Sequence, residues 1–408
     1  MDTVNQMQVK SNLINRAIYV IAAMIILCYI PIVHYYLGPY FVLMCMISFI
    51  FLSTINGYPI QIITISIFIF IFIVIHCITN WSSVDAVKPL VGINSRFMFF
   101  FPLYLTYYFH GKNENKCLCN LSKLVIFVLV LTSFTTMIGL EIFPGASRYL
   151  AVGQSDAYEM NDLMNYNIGG YGFVYSIVIA LPLFIYLIKL NKLNWLLILF
   201  PLGCILAAQY MYALVLSVIA VIGSSFFKKI NYITMAIFII SGCLCSVLLK
   251  EVLIDMIYYL TTAFSQYQNL EVRFQEIASF LQYGYAQGDF DSRLDLYTNS
   301  INAFLDNPLI GTWGDTNAVH QIGGHAFILD VLGSSGLIGF SAFGLIIYKY
   351  YIDILRKLNR LTFYRYVKWS ILLFFLLSAI NTILTSGQIS LVLFFLVSAI
   401  SAFETKTI

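Results

Sequence analysis

Two arginines and one histidine are the residues of this chain whose types and positions could carry chemistry. Arg273 and Arg293 lie in the polar segment 250–324, where nine acidic side chains stand against three basic ones. A guanidinium presents a planar fork of N–H donors that matches phosphate oxygens, and it also forms ordinary ion pairs with carboxylates. His325 follows the segment directly. It is either a packed polar residue or a base, because a neutral imidazole can accept a proton from an attacking hydroxyl.

The residues around Arg293 predict a helix that begins just before it. Ser292 and Asp295 have the spacing of a capping box, and Asn307-Pro308 ends the run. Arg293 would then lie in the first helical turn, where free backbone amides attract anions, so the position suits a diphosphate. The same geometry also serves a plain salt bridge. The apolar residues that share one face of this helix are Leu294, Ile301 and Leu305.

His325 begins an apolar run, 325–349, that we predict to be a membrane span. Asp330 lies inside this run, where a carboxylate is costly and needs a partner or a role. It is five residues from His325, so the two side chains do not share a face of a straight helix. We therefore expect the partner of Asp330 on another helix, as polar support for the site. The glycines whose spacing permits close packing on a neighbouring helix are Gly333, Gly336 and Gly339.

The elements that must position these residues are membrane helices. The chain has 408 residues, of which 60% are hydrophobic and 10% charged, with a mean hydropathy of +0.86. This composition excludes an ordinary soluble domain and indicates an all-α polytopic membrane protein. Apolar runs of roughly 17–25 residues cross hydrocarbon as helices, and we predict about twelve of them. They lie at 17–37, 39–55, 60–79, 96–110, 123–141, 171–189, 194–208, 209–227, 230–249, 325–349, 367–385 and 388–403.

The distribution of Lys and Arg predicts the orientation of these spans. With both termini in the cytoplasm, 16 of the 22 basic residues fall in cytoplasmic segments, which satisfies the positive-inside rule. The net charge of +3 then reflects topology, and we expect no nucleic-acid partner. The chain divides into 1–249 with nine spans, a large outer loop at 250–324 that contains short helices, and 325–408 with three spans. A second outer loop lies near 142–170. Loops this long usually carry function, although a passive cap is the alternative for the larger one.

Cysteine usage indicates neither a disulfide framework nor a metal site. None of the eight cysteines falls in the two outer loops. Cys117 and Cys119 have no second pair and no histidine at ligand spacing, so we predict no metal at that position.

The stretch from the arginine helix to the histidine resembles the O-antigen ligase and polymerase superfamily of bacterial envelope glycan assembly. The matching parts are Arg293, the turn Pro308-Leu309-Ile310-Gly311, and His325 with Gly336 and Gly339 at the family's spacing. Arg273 matches a recurrent family position, so the resemblance covers about 270–340. Ala326 stands where the family commonly has Asn, Ser or Gln, and Ala207-Ala208-Gln209-Tyr210 lacks the family's Ser-Arg pair. Arg148 in the other outer loop is our substitute candidate for the third basic residue.

The resemblance implies a GT-C-like fold and an inverting glycosyltransferase that uses no metal or other cofactor. It would act on the periplasmic face of the bacterial cytoplasmic (inner) membrane. Donor and acceptor would be undecaprenyl-diphosphate-linked oligosaccharides, with a chain-length regulator and a flippase as further partners. Arg273, Arg293 and Arg148 would hold the diphosphate, and His325 would act as base on the acceptor hydroxyl.

Within this superfamily we favour a repeat-unit polymerase, because the chain diverges in the span before the motif and polymerases vary more than ligases. The alternative is an O-antigen ligase that transfers lipid-linked glycan to lipid A core or to protein. A polysaccharide flippase or other transporter is the alternative from a different class. The chain shows neither the repeated halves nor the midplane charges typical of transporters.

Overall fold

The computed structural model describes residues 2–79, 88–144, 146, 150, 163, 165–226, 250–265, 268–283, 289–315, 318–358, 363–384 and 386–404. Every regular element in these ranges is a helix, which confirms the all-α class. The helices are α1 Asp2–Leu27, α2 Pro31–Ile55, α3 Ile60–Ile78, α4 Lys88–Gly111, α5 Asn115–Ile142, α6 Tyr171–Lys189, α7 Trp195–Ala208, α8 Met211–Phe226, α9 Lys250–Ala263, α10 Gln268–Tyr283, α11 Asp289–Asp306, α12 Phe327–Asp353, α13 Tyr364–Ile380 and α14 Gly387–Phe403.

Several helices have the length and composition of membrane spans. In the described ranges, five are long and apolar enough to cross hydrocarbon, and they are Pro31–Ile55, Ile60–Ile78, Asn115–Ile142, Tyr171–Lys189 and Phe327–Leu358. Shorter apolar helices accompany them at Leu13–Leu27, Trp195–Ala208, Met211–Phe226 and Gly387–Phe403. Large apolar side chains such as Phe51, Ile60 and Phe70 are exposed on these helices, as expected where lipid replaces water. The chain is therefore an all-helical membrane protein. The predicted span at 230–249 lies outside the described residues.

The helices of the first two apolar runs divide at one place more than the sequence predicted. The sequence indicated spans at 17–37 and 39–55, whereas α1 ends at Leu27 and α2 begins at Pro31. Proline is well tolerated at the first position of a helix, where its missing N–H leaves no bond unmade. Gly38, with φ +72° and ψ +166°, interrupts the helical backbone of α2. The chain is therefore interrupted twice, at 28–30 and at Gly38, and only the second interruption coincides with the predicted division between the spans.

The centre of the bundle is formed by α6 and α14. Almost every residue of α14 is buried, and a π-helical stretch at Leu391–Leu396 interrupts its regular hydrogen bonding. Two hydroxyl groups from neighbouring helices donate hydrogen bonds to backbone carbonyls of this stretch. Thr106 Oγ1 donates to Phe394 O at 2.6 Å, and the Tyr350 hydroxyl lies 3.2 Å from the carbonyls of Leu393 and Phe394. Such cross-helix bonds are needed where no water can satisfy the backbone.

Helix α12 is broken at Gly336, whose φ of +58° and ψ of −156° are open in practice only to glycine. The break leaves two carbonyls and two N–H groups without partners inside the helix. The turn 308–313, which follows α11, supplies those partners through its own backbone. Its bonds are Thr312 N to Gly333 O (2.8 Å), Trp313 N to Ser334 O (3.0 Å), Leu337 N to Pro308 O (2.9 Å) and Ile338 N to Leu309 O (3.2 Å). The Pro-Leu-Ile-Gly turn therefore joins α11 to both halves of α12.

The cysteines of the described ranges carry free thiols, and they are Cys28, Cys45, Cys77, Cys117, Cys119 and Cys204. Cys243 and Cys245 lie outside those ranges.

Candidate functional site

A cavity of about 830 Å³ lies where the ends of several helices meet. Its walls come from the starts of α2, α6 and α8, from α10 and α11, from the loop before α12, and from the segment between α13 and α14. Arg273, Arg293 and His325 all line it. Three residues predicted from separate stretches of sequence are thus brought to one place. Arg148 lies outside the described residues.

The end of the bundle away from this cavity carries basic side chains. Helix α2 begins at the cavity and ends beside Asn56, whose carbonyl accepts a hydrogen bond from Lys112 Nζ at 2.6 Å. Helix α6 also begins at the cavity and ends at Lys189, which lies 5.6 Å from the Tyr366 ring centre, with Arg365 over the same ring at 4.5 Å. Lys112, Lys189 and Arg365 therefore lie at the end of the bundle away from the cavity.

Arg273 is positioned by a small apolar core outside the main bundle. The buried residues of this core are Ile257 of α9 and Leu270, Phe274 and Ala278 of α10, with Met211 and Leu214 of α8 packed against them. Since these contacts fix α10 over the start of α8, Arg273 and Glu276 beside this apolar stripe line the cavity.

Of the two roles that the sequence left open for Arg273, ion pairing and phosphate binding, the structure shows an ion pair. Its Nη1 lies 2.6 Å from Oε2 of Glu276, a carboxylate that is only 8% exposed. The pair is nearly neutral as a unit, so it contributes oriented polar groups to the cavity and little net positive charge. Glu276 is a cavity residue that the sequence reasoning did not identify.

Arg293 is not in the first turn of its helix. Helix α11 begins at Asp289, so Ser292 lies inside the helix and the predicted capping box is wrong. The apolar residues that share a face of α11 are not its most buried ones, because Ile301 and Leu305 are 41% and 63% exposed. Small residues are buried instead: Ser300 and Ala303 are 1% and 2% exposed.

Glycines before and within α12 explain why small residues of α11 are the buried ones. A Cβ on Gly333 would lie 2.8 Å from Ser300 O, and one on Gly323 would lie 2.2 Å from Leu296 O. The backbone of α11 therefore lies directly against glycines before and within α12, and only small side chains fit between them. This agrees with the predicted packing role of Gly333.

The surroundings of Arg293 are tyrosine rings. It interacts electrostatically with the phenols of Tyr171 and Tyr175 at the start of α6. It also hydrogen-bonds to Tyr297, one turn along α11. Burial raises the pKa of the Tyr297 phenol, while the adjacent guanidinium acts in the opposite direction by stabilising the phenolate. The Tyr297 hydroxyl donates to Ile380 O at 2.8 Å, which attaches α11 to the end of α13.

The sequence predicted that His325 begins the span, and this prediction was wrong. The helix begins at Phe327, and His325 lies in the loop before it with an exposed side chain. Asp330 secures this loop. Its Oδ1 accepts from Gly324 N at 3.1 Å and its Oδ2 accepts from Ala326 N at 2.9 Å. The carboxylate therefore holds the backbone on both sides of His325.

Asp330 also has the interhelical partner that its position in an apolar run called for. Ser300 Oγ of α11 donates to Asp330 Oδ1 at 2.8 Å and accepts from Gly323 N at 2.9 Å. The serine and the carboxylate together accept hydrogen bonds from three backbone N–H groups of the loop that carries His325, those of Gly323, Gly324 and Ala326. The position of the imidazole thus depends on contact between α11 and α12.

Several cavity residues were not found from sequence. His34 of α2 is a second imidazole in the wall. Tyr171, Tyr175 and Tyr210 form a ring cluster with centroid separations of 4.6 Å, 5.6 Å and 5.9 Å. The polar segment 381–388 closes one side. The polar run Asn-Thr between two apolar runs was a visible signal for that segment, whereas tyrosines near a membrane surface are too common to be informative.

Comparisons with protein-family models, curated proteins and solved structures returned no match to this chain.

Proposed function

We propose that this protein is a polymerase of an O-antigen or related surface polysaccharide. It would join undecaprenyl-diphosphate-linked oligosaccharide repeat units on the periplasmic face of the bacterial inner membrane. The observation that supports this most directly is the cavity that gathers Arg273, Arg293 and His325 at one end of a membrane bundle. These are the residues that the family resemblance implies for diphosphate binding and for the base.

The basic residues at the end of the bundle away from the cavity support the proposed side of the membrane. Lys112, Lys189 and Arg365 lie at the ends of helices that begin or finish at the cavity. Basic residues favour the cytoplasmic side. The cavity then opens to the periplasm, where lipid-linked repeat units are assembled into polymer under this proposal.

The proposed reaction is one displacement at the anomeric carbon of the donor. The acceptor sugar hydroxyl attacks this carbon, its proton moves to the His325 imidazole, and the bond from the carbon to the diphosphate oxygen breaks. The bonding electrons leave with undecaprenyl diphosphate, whose developing negative charge Arg293 stabilises. Arg273, held by Glu276, orients the same diphosphate. One displacement inverts the anomeric configuration.

Arg293→Ala is expected to weaken binding of undecaprenyl diphosphate by about 10- to 100-fold, since a hydrogen bond to a charged group contributes roughly 1.5–3 kcal/mol. The measurement is a titration of purified protein in lipid nanodiscs, together with the surface-glycan ladder of a deletion strain complemented with the variant. The ladder is expected to shorten toward a single repeat unit.

Arg356→Ala is the matched control, because Arg356 is exposed and lies in the turn after α12, away from the cavity. The control should keep the wild-type ladder. Loss of all core-linked glycan with lipid-linked polymer still present would contradict the polymerase and favour the ligase. An unchanged ladder in Arg293→Ala would remove Arg293 from the mechanism.

Asp330→Asn is expected to lower kcat for transfer about 10-fold while the KM for the lipid-linked donor stays near wild type. An amide oxygen accepts hydrogen bonds on one side only, so the loop that holds His325 loses part of its anchor. Steady-state transfer rates at varied donor concentration check this. The control is Asp295→Asn, an exposed carboxylate on α11. A raised KM with unchanged kcat would mean that Asp330 affects substrate binding and not the base.

A further inference from the structure

Helix α9 exposes an apolar face on the side away from the protein. Residues that are four and seven apart share a face of an α-helix, because successive residues are turned by about 100°. The buried face of α9 carries Ile254, Ile257 and Thr261. The opposite side carries Val252, Met256 and Tyr259, which are 62%, 50% and 73% exposed. Large apolar side chains that are exposed together along one face indicate an apolar partner.

The remaining two sides of α9 differ in polarity. One side exposes Glu251, Asp255 and Thr262. Leu253 and Leu260 lie roughly 180° from these residues and are half-buried. The order around the axis is therefore a polar side, an exposed apolar side, a leucine side and a side buried in the protein. A helix that lies in a membrane surface has this arrangement, with its polar side toward water and the opposite side toward the acyl chains.

Two observations place α9 at the level of the membrane surface. The helix begins at Lys250, directly after the apolar run 230–249 that the sequence predicts to be a span, so no connecting segment separates it from the membrane. Ile257, in the middle of α9, belongs to the small core that includes Met211 and Leu214 in the first turn of α8. The start and the middle of α9 therefore lie at one level, as in a helix that runs along the membrane.

The lipid-facing surface of the bundle reaches the same level. Helix α8 is one of the apolar helices, and its exposed side chains include Val215, Val218 and Ile222, at 45%, 55% and 47% exposure. Val215 follows Leu214 directly, so this surface begins where the small core of α9 and α10 packs on α8. The bilayer that covers α8 is therefore the apolar partner that this position supplies for the exposed face of α9.

We propose that α9 is a membrane-surface helix whose face Val252, Met256 and Tyr259 lies among the lipids of the leaflet on the cavity side. The acidic side of the helix faces water, so apolar burial and not attraction to anionic headgroups holds it there. Helix α10 packs on α9, and the Tyr258 hydroxyl donates to Gln282 Oε1 of α10 at 3.2 Å. The leaflet thereby sets the level at which α10 carries Arg273 into the cavity. This proposal is independent of the reaction proposed above.

The test compares two sets of single cysteine variants of purified protein in nanodiscs of phosphatidylethanolamine and phosphatidylglycerol. The apolar-face set is Val252→Cys, Met256→Cys and Tyr259→Cys, and the polar-face set is Glu251→Cys, Asp255→Cys and Thr262→Cys. Both sets are exposed in the protein itself, so only something outside it can separate them. A sulfonated maleimide should modify the apolar-face set at least about 10-fold more slowly, because it attacks the thiolate and apolar surroundings raise a thiol pKa.

Mass spectrometry of the labelled peptide separates each new thiol from the native cysteines, and the rate is normalised to the same variant unfolded in SDS. A second measurement detects the lipid directly. Tyr259→Trp and Asp255→Trp are placed in nanodiscs whose lipids carry bromine in the acyl chains. The fluorescence that Tyr259→Trp adds to the four native tryptophans should be quenched, whereas the fluorescence that Asp255→Trp adds should not.

Three results would overturn the membrane-surface helix. Equal thiol rates in the two sets would mean that both faces of α9 lie in water. Protection of the apolar face in native membranes that is lost in nanodiscs would assign this face to a partner protein. Protection in nanodiscs without quenching of Tyr259→Trp would assign it to a second copy of this chain. Each set has three positions, so the comparison does not depend on the folding of any one variant.

Discussion

Replacing His325 by alanine is expected to lower the rate of glycan transfer by about 10²- to 10⁴-fold, the usual contribution of a positioned general base. Binding of undecaprenyl diphosphate should stay close to wild type, because His325 takes the proton of the acceptor and does not hold the leaving group. The fold should also be retained, since the His325 side chain is exposed. A single-turnover assay with purified protein and lipid-linked repeat units measures the transfer step directly.

Two other histidines provide the controls. His320 lies in the same loop, 2.8 Å from the exposed carboxylate of Asp306, and does not line the cavity. His320→Ala should therefore transfer glycan at the wild-type rate. His34 does line the cavity and is the competing candidate for the base. If His34→Ala abolished transfer and His325→Ala did not, the base would be His34 and the assignment from the family resemblance would be wrong.

Gly336→Ala is expected to lower both the Tm and the yield of folded protein. The backbone there has φ +58°, and an added Cβ would lie 2.4 Å from the carbonyl carbon and oxygen of Leu309. Backbone strain of about 1–3 kcal/mol and overpacking of about 1–3 kcal/mol then act together, a large part of the stability of most proteins. Thermal unfolding in detergent, followed by size-exclusion chromatography with fluorescence detection, measures the loss.

Gly344→Ala is the matched control in the same helix. Nothing lies within 4 Å of a Cβ at Gly344, so alanine there should leave the Tm unchanged or raise it through better helix propensity. If Gly336→Ala had the wild-type Tm, the break in α12 would not need glycine. The bonds between the turn 308–313 and the helix would then be secondary to the fold.

These expectations differ in how much of their basis was visible in the sequence. His325 and Arg293 could be selected from the sequence, because residue type and the spacing of the motif are local properties. Their convergence with Arg273 in one cavity could not be read from the chain. It depends on α9 and α10 packing over α8, and on α11 packing over α12.

The helix ends show the same limit in more detail. Gly38 and Gly336 each interrupt a helix, but Gly38 stands at a predicted division between spans, whereas Gly336 was predicted only as a packing residue. Both have positive φ, and the sequence does not distinguish them. The difference lies in tertiary contacts, because nothing occupies the space beside Gly38 whereas the backbone of the turn 308–313 lies against Gly336.

The sequence by itself indicated the class of protein, because a chain that is 60% hydrophobic, with apolar runs of spanning length, has the composition of a helical membrane protein. It also determined which charged residues were exceptional, since charge is costly in such a chain. Only the tertiary structure decided which polar groups meet. Ser300 of α11 donates to Asp330 of α12, Tyr297 of α11 donates to the end of α13, and Arg273, Arg293 and His325 line one cavity. These contacts join segments far apart in the chain, where burial and geometry, and not local propensity, set the energy.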